Sequence, residues 1–159
     1  MNGYYLALAG RIRSELDEIA AVAGRAARIW EDATGNVDDY HVDAVALNLH
    51  GFYAGVERLM EAIADTVDRS KPAVANWHQE LLRQMAIEVP GIRPPVFSAA
   101  TRNLLDRYRG FRHVVRNVYS FELDPEQVAS LVRHLPAVVA AATADLLVFA
   151  DFLEFSGNG

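Results

Sequence analysis

Apolar residues recur along the chain at helical intervals, interrupted by a few strong stop signals. From Tyr5 to Trp30 they fall at Leu8, Ile12, Leu16, Ile19, Ala23, Ala26 and Trp30, the three- and four-residue spacing that lines one face of a helix. Thr34-Gly35-Asn36 is expected to end it. Asp38 or Asp39 caps the second predicted helix, whose stripe runs through Val42, Val45, Leu49, Phe52, Tyr53, Val56, Leu59, Met60, Ile63 and Val67. Ser70-Lys71-Pro72 is expected to open a shorter third helix through Trp77, Leu81, Leu82 and Met85. Pro90-Gly91 and Pro94-Pro95 close it, because proline rings stop helical continuation. Ser98 is the expected cap of a fourth helix buried along Leu104, Tyr108, Phe111, Val115 and Val118. Asp124-Pro125-Glu126-Gln127 opens the fifth, with Asp124 as N-cap, Pro125 in the first turn and Gln127 placed to reach back in a capping box. Pro136 should kink this helix, and the tail Ser156-Gly157-Asn158-Gly159 should fray. No segment alternates apolar and polar residues as a half-buried strand does. The pattern therefore predicts an all-α fold, an antiparallel bundle of about five helices.

Composition narrows the setting. A chain of 159 residues that is 52% hydrophobic fits one domain, 1–159, with a real core. It has no cysteine, so a disulfide framework and a thiolate zinc site are both impossible, which favours a reducing, cytoplasmic location. No stretch reads as long and apolar enough to span a bilayer, and Met1 to Gly10 lacks the basic start and apolar run of a secretion signal. The net charge of −6 and a pI near 5.3 argue against indiscriminate coating of nucleic acid. Positive charge is nevertheless concentrated in one place. Between Thr101 and Tyr119 stand five arginines, at 102, 107, 109, 112 and 116, and one acid, Asp106, a net of +4 against −10 for the remainder.

That segment carries the candidate chemistry. Arg112, His113, Arg116, Asn117 and Tyr119 bring cation, imidazole, amide and phenol onto one predicted helix. With roughly 100° per residue from Leu104, Arg109, Arg112, Arg116 and Tyr119 form a second stripe beside the buried one, and His113 and Asn117 lie together further round. Like charges three and four residues apart destabilise a lone helix, so something anionic is expected opposite. One possibility is a phosphodiester. The other is a set of Asp and Glu side chains from neighbouring helices that pair with the arginines structurally. No Glu-x-x-His or His-Glu-x-x-His motif suggests a metal, and no cofactor is expected.

From Asp38 to Glu154 the chain resembles the HepT-like ribonuclease domains of the HEPN superfamily, toxins of the MNT/HepT type of toxin–antitoxin system. The resemblance is carried by Asp39-Tyr40 with Leu49-His50-Gly51-Phe52-Tyr53-Ala54-Gly55-Val56-Glu57-Arg58, by Trp77-His78-Gln79-Glu80-Leu81-Leu82-Arg83-Gln84-Met85, and by Phe111 to Tyr119. HEPN ribonucleases carry an Arg, four to six residues, then a His, which HepT proteins often extend to a Tyr two residues further on. In this chain the Arg falls on Arg112 and the Tyr on Tyr119, but the His position holds Asn117. A shifted match of Arg107 with His113 satisfies the looser motif and loses the tyrosine register.

The resemblance implies a metal-independent endoribonuclease in which a ribose 2′-hydroxyl attacks the adjacent phosphate across a two-fold cleft of a homodimer. Arg112 would stabilise the phosphorane, and Arg109 and Arg116 would hold flanking phosphates. His113 would inherit the proton-transfer role, with Asn117 positioning an oxygen. Tyr119 would be the site at which a partner MNT-type nucleotidyltransferase, the antitoxin, adds AMP. Its plainer alternative is a helix-end tyrosine packing beside Phe121. The partners so implied are RNA, a second copy of the chain and the antitoxin. The alternative reading is a catalytically degenerate HEPN module that binds RNA, nucleotide or protein. A plain interaction bundle with paired arginines also stays open. His50 and His78, inside apolar segments, read as structural histidines, and His41 and His134 as surface or helix-end residues.

Overall fold

Asn2 starts the first helix by accepting from the amides of Tyr4 and Tyr5 through its side-chain oxygen at 3.1 and 3.3 Å, satisfying donors that a helix start leaves orphaned. In the computed structural model, which describes residues 1–33, 35–117 and 123–159 apart from the side chains of Arg116 and Asn117, five α-helices follow in order. They are α1 (Gly3–Asp32), α2 (Asp39–Ile63), α3 (Trp77–Met85), α4 (Ala99–Asn117) and α5 (Pro125–Asn158). No strand occurs among the described residues. The fold is the all-α bundle that the periodicity predicts, and residues of all five helices meet in one core.

The caps explain the boundaries. Asp38 accepts from the backbone of His41 at 3.0 Å and from its Nδ1 at 2.8 Å, and these bonds, the backbone one foremost, hold its carboxyl below the usual carboxylate range. Ser98 Oγ accepts from the Thr101 amide at 3.1 Å. Asp124 accepts from the Glu126 amide at 3.0 Å, with Pro125 in the first turn.

Three expectations need correction, and the end of the second stripe gains a detail. The third helix begins at Trp77, not near Ser70: the chain from Ser70 to Asn76 is loop, and within it Pro72 disfavours the helical region only for Lys71 before it. The end of the second stripe is a π-helical turn, Ala64–Asp68, closed by Arg69 in the left-handed region at φ 55°. That turn delivers Asp68 to Arg93, whose buried guanidinium binds both carboxylate oxygens and also the backbone carbonyls of Gln84, Ile87 and Pro94. The tail does not fray before Asn158. Gly157 is buried, and its carbonyl accepts from the Asn2 amide at 2.7 Å, which ties the end of α5 to the start of α1. Finally, α5 does meet the length and apolarity of a membrane span, with a window of mean hydropathy 1.7. Here its inner face, from Val128 to Leu153, packs mainly on α1 and also on α2 and α4. The helix continues through Pro136.

On α4 the inward face is Thr101, Leu105, Tyr108 and Phe111. Leu104 and Val115 pack at its edge, and Val118 lies outside the described residues. Tyr108 Oη donates to the Leu131 carbonyl at 2.6 Å, and its ring meets Phe52 edge-on at 5.5 Å between centroids. These contacts fix α4 against α5 and α2. They leave the arginine-bearing flank beside the start of α3.

Candidate functional site

A cleft of about 590 Å³ opens where that flank meets the start of α3, lined by Ala75, Asn76, His78, Gln79, Arg109, Arg112 and His113. Three candidate residues thus share one cavity, although Arg109 and Arg112 fall on a different flank of the helix from His113. The cavity is wide enough to span both flanks. Arg116 and Asn117 belong to the last turn of α4, but their side chains lie outside the described residues. Tyr119 lies outside them altogether.

Behind the cleft sits a buried carboxylate. Glu57 of α2 is 4% exposed, and a charge so placed requires partners. Its Oε1 meets Arg112 Nη1 at 3.2 Å and its Oε2 meets His78 Nδ1 at 2.7 Å. Arg112 Nη1 also stands 3.1 Å from His78 Nδ1. The shorter, carboxylate-directed contact assigns the proton to Nδ1, which donates it to Glu57; Nη1 is held alongside by the same carboxylate. The His78 ring stacks on Trp77, with centroids 3.6 Å apart and planes 29° from parallel. His78 is thus satisfied by Glu57, as expected of a structural histidine. It is part of the same cluster as Arg112.

The expected anionic counterparts are present. Arg112 has Glu57 from a neighbouring helix, and Arg109 Nε meets Asp106 Oδ1 at 2.7 Å, three residues back on its own helix. The two pairs differ in kind. Asp106 is 46% exposed at its side chain, and a surface pair of this sort contributes only about 0–1 kcal/mol, so Arg109 is easily turned to another anion. The Arg112 pair is mostly buried, yet Arg112 still lines the cleft and has further N–H donors. Its Nε meets no hydrogen-bond partner among the described residues. Tyr53 Oη, one turn before Glu57 on α2, is likewise buried without one. Burial, and then the nearby Glu57 charge, push the Tyr53 hydroxyl well up. Asn76 and the first turn of α3 add the positive end of a helix to the same cavity.

Neither Glu57 nor His78 is among the sequence candidates. The signal for Glu57 was its register: four residues after Tyr53 and one after Val56, it points inward from a helix whose inner face is otherwise apolar. The signal for His78 was its place beside Trp77 at a helix start.

The architecture and the cleft define a class: an all-α bundle with an arginine- and histidine-bearing cavity between α3 and α4, backed by Glu57 of α2. The family model described as HepT-like protein matches residues 44–153, from the first turns of α2 almost to the end of α5. The chain belongs to the HepT-like family, a toxin-associated branch of the HEPN domains that is generally associated with ribonucleases. No curated protein and no solved structure matches it.

Proposed function

We propose that the protein is a metal-independent endoribonuclease toxin that cleaves RNA by attack of a 2′-hydroxyl on the adjacent phosphate. The observation that carries this reading is the open cleft in which Arg109 and Arg112 stand beside two imidazoles, His78 and His113. A guanidinium is suited to the charge that develops on phosphorus, and Arg112 has the more fixed position of the two arginines, anchored by Glu57. Arg109, with its exposed and exchangeable partner, takes a flanking phosphate, as does Arg116 in the next turn. The protein acts in the cytoplasm as a homodimer whose two motif helices flank one groove. Its antitoxin is a nucleotidyltransferase that adds AMP to Tyr119, placing a bulky anion where a phosphate would bind.

Induced expression tests the reading. The wild-type chain is expected to arrest growth and, once purified, to cut RNA in the presence of a chelator. Arg112→Ala is expected to do neither. Arrest indifferent to that change removes the ribonuclease reading.

One observation favours a second reading. The motif position held by histidine in active HEPN ribonucleases is Asn117 here, and an amide does not exchange protons as an imidazole does. A degenerate module would bind RNA or nucleotide through the same arginines without cleaving. Anisotropy that reports RNA binding, together with no cleavage at any enzyme concentration, selects it.

A further inference from the structure

Transfer of a 2′-hydroxyl proton requires an imidazole held in one tautomer, facing the cavity, next to the group that binds the phosphate. Asn117 lacks the chemistry. His113 lines the cavity from the exposed outer side of α4. His78 meets each requirement by contacts made within one chain. Its Nδ1 is committed to a buried carboxylate at 2.7 Å, its ring is stacked on Trp77, and it touches Arg112 at 3.1 Å while lining the cleft. A carboxylate that fixes one ring nitrogen and so assigns proton exchange to the other is the arrangement that orients a catalytic imidazole in hydrolases.

We propose that His78 is the catalytic residue that accepts the 2′-hydroxyl proton, and that Glu57 is its positioning residue. The proposal rests on the ribonuclease reading above. It supplies, from α3, the imidazole that the last turn of α4 lacks. In the step, the 2′-oxygen to phosphorus bond forms as the 2′-hydroxyl proton passes to His78 Nε2, and the phosphorus to 5′-oxygen bond breaks. The 5′-oxygen leaves with a proton taken from water, and the resulting hydroxide recovers the proton from His78. The products are a 2′,3′-cyclic phosphate and a free 5′-hydroxyl, with no net consumption of water and no change of oxidation state. Glu57 serves two members of the site at once, with one oxygen on the imidazole and one on the guanidinium. It thereby couples the position of the base to that of the phosphate-binding cation.

Among the described residues, Glu57 of α2 and Arg112 of α4 touch His78, Arg109 and His113 line the same cavity, and Tyr53 and Asp106 lie behind Glu57 and Arg109. A pH profile of single-turnover RNA cleavage, measured on the full chain, separates them. His78→Gln is expected to lower the cleavage rate at least a hundredfold, to leave the RNA dissociation constant within threefold, and to abolish the acid limb of the profile. His113→Gln is expected to keep that limb. Glu57→Gln keeps the shape of the side chain and weakens the anchoring, so it lowers the rate less than His78→Gln does. Thermal unfolding of each variant shows whether it is folded. A His78→Gln protein that unfolds early is replaced by His78→Asn, for which the same losses are expected.

If the wild type cuts RNA and His78→Gln cuts at a similar rate, the role of His78 is overturned and the ribonuclease reading stands. If the acid limb disappears in His113→Gln instead, the proton acceptor is His113. A loss of RNA binding that accounts for the whole effect of His78→Gln makes the residue a support for Arg112 and also overturns the proposal. A wild type that cuts no RNA removes both readings together.

Discussion

Two buried tyrosines show how the value of a hydroxyl depends on its partner. Tyr108 donates to the Leu131 carbonyl at 2.6 Å, whereas Tyr53 has no hydrogen-bond partner among the described residues. Tyr108→Phe is expected to cost about 0.5–1.5 kcal/mol, and Tyr53→Phe to be neutral or to stabilise by up to ~1 kcal/mol, because only the second removes an unsatisfied group. Urea unfolding measures both; equal losses would contradict this assignment of partners. The same hydroxyls set an alkaline limit. Burial raises both, Tyr108 to about 12, and Tyr53 further in the same direction, with Glu57 adding to the rise. A folded-state value above the unfolded one means that the unfolded chain loses its proton first. Stability is then complete below about pH 10 and falls as the pH rises toward the folded value. The fall between pH 10 and 12 is expected to be shallower in Tyr108→Phe than in the wild type.

At the scale of elements, α1 and α2 pack closely at two glycines. A Cβ on Gly55 would lie 2.8 Å from Ile19 Cγ1, and one on Gly51 would lie 3.3 Å from Val22 Cγ1. Gly55→Leu is therefore expected to destabilise by about 1–3 kcal/mol through overpacking. Part of that loss should return in an Ile19→Ala background, a coupling that thermal unfolding of the four proteins reads directly. Additive losses would mean that the two helices move apart freely. These small residues were visible in the sequence but their partners were not. The long helices were legible because each carries its own signals: Asp38, Ser98 and Asp124 cap locally, and the three- and four-residue stripes mark the inward face. All of α3 was legible but its start was placed too early, since Pro72 is compatible with a helix start and nothing local excludes Ala73 to Asn76 from helix. The docking of Gly157 on Asn2 joins the two ends of the chain, so no local pattern announces it. The candidate site divides in the same way. Arg109, Arg112 and His113 lie close together on one helix and were found from the sequence. Glu57 and His78 come from two other helices and join the cluster only through packing against Arg112.

On the scale of the whole molecule, the net charge of −6 sets a test for the cleft. A polyanion is repelled by the chain as a whole and attracted where α4 gathers its arginines, so the proposed RNA binding would depend on which arginines face the cavity. Arg109 lines it, whereas Arg107 Nη2 turns away to Ser130 of α5 at 3.0 Å. Each phosphate neutralised on a single strand contributes about −0.7 to the slope of log K against log salt concentration. Arg109→Gln is expected to make the slope shallower by about that amount, and Arg107→Gln to leave it unchanged, although both remove one positive charge from the same helix. Anisotropy titrations of a short single-stranded RNA from low to moderate salt provide the measurement. Equal changes in the two variants would mean that RNA responds to the charge of α4 in general, and the cleft would lose its standing as the binding site. Unequal changes in the expected order would locate the phosphate backbone against the wall shared by Arg109, Arg112 and His78.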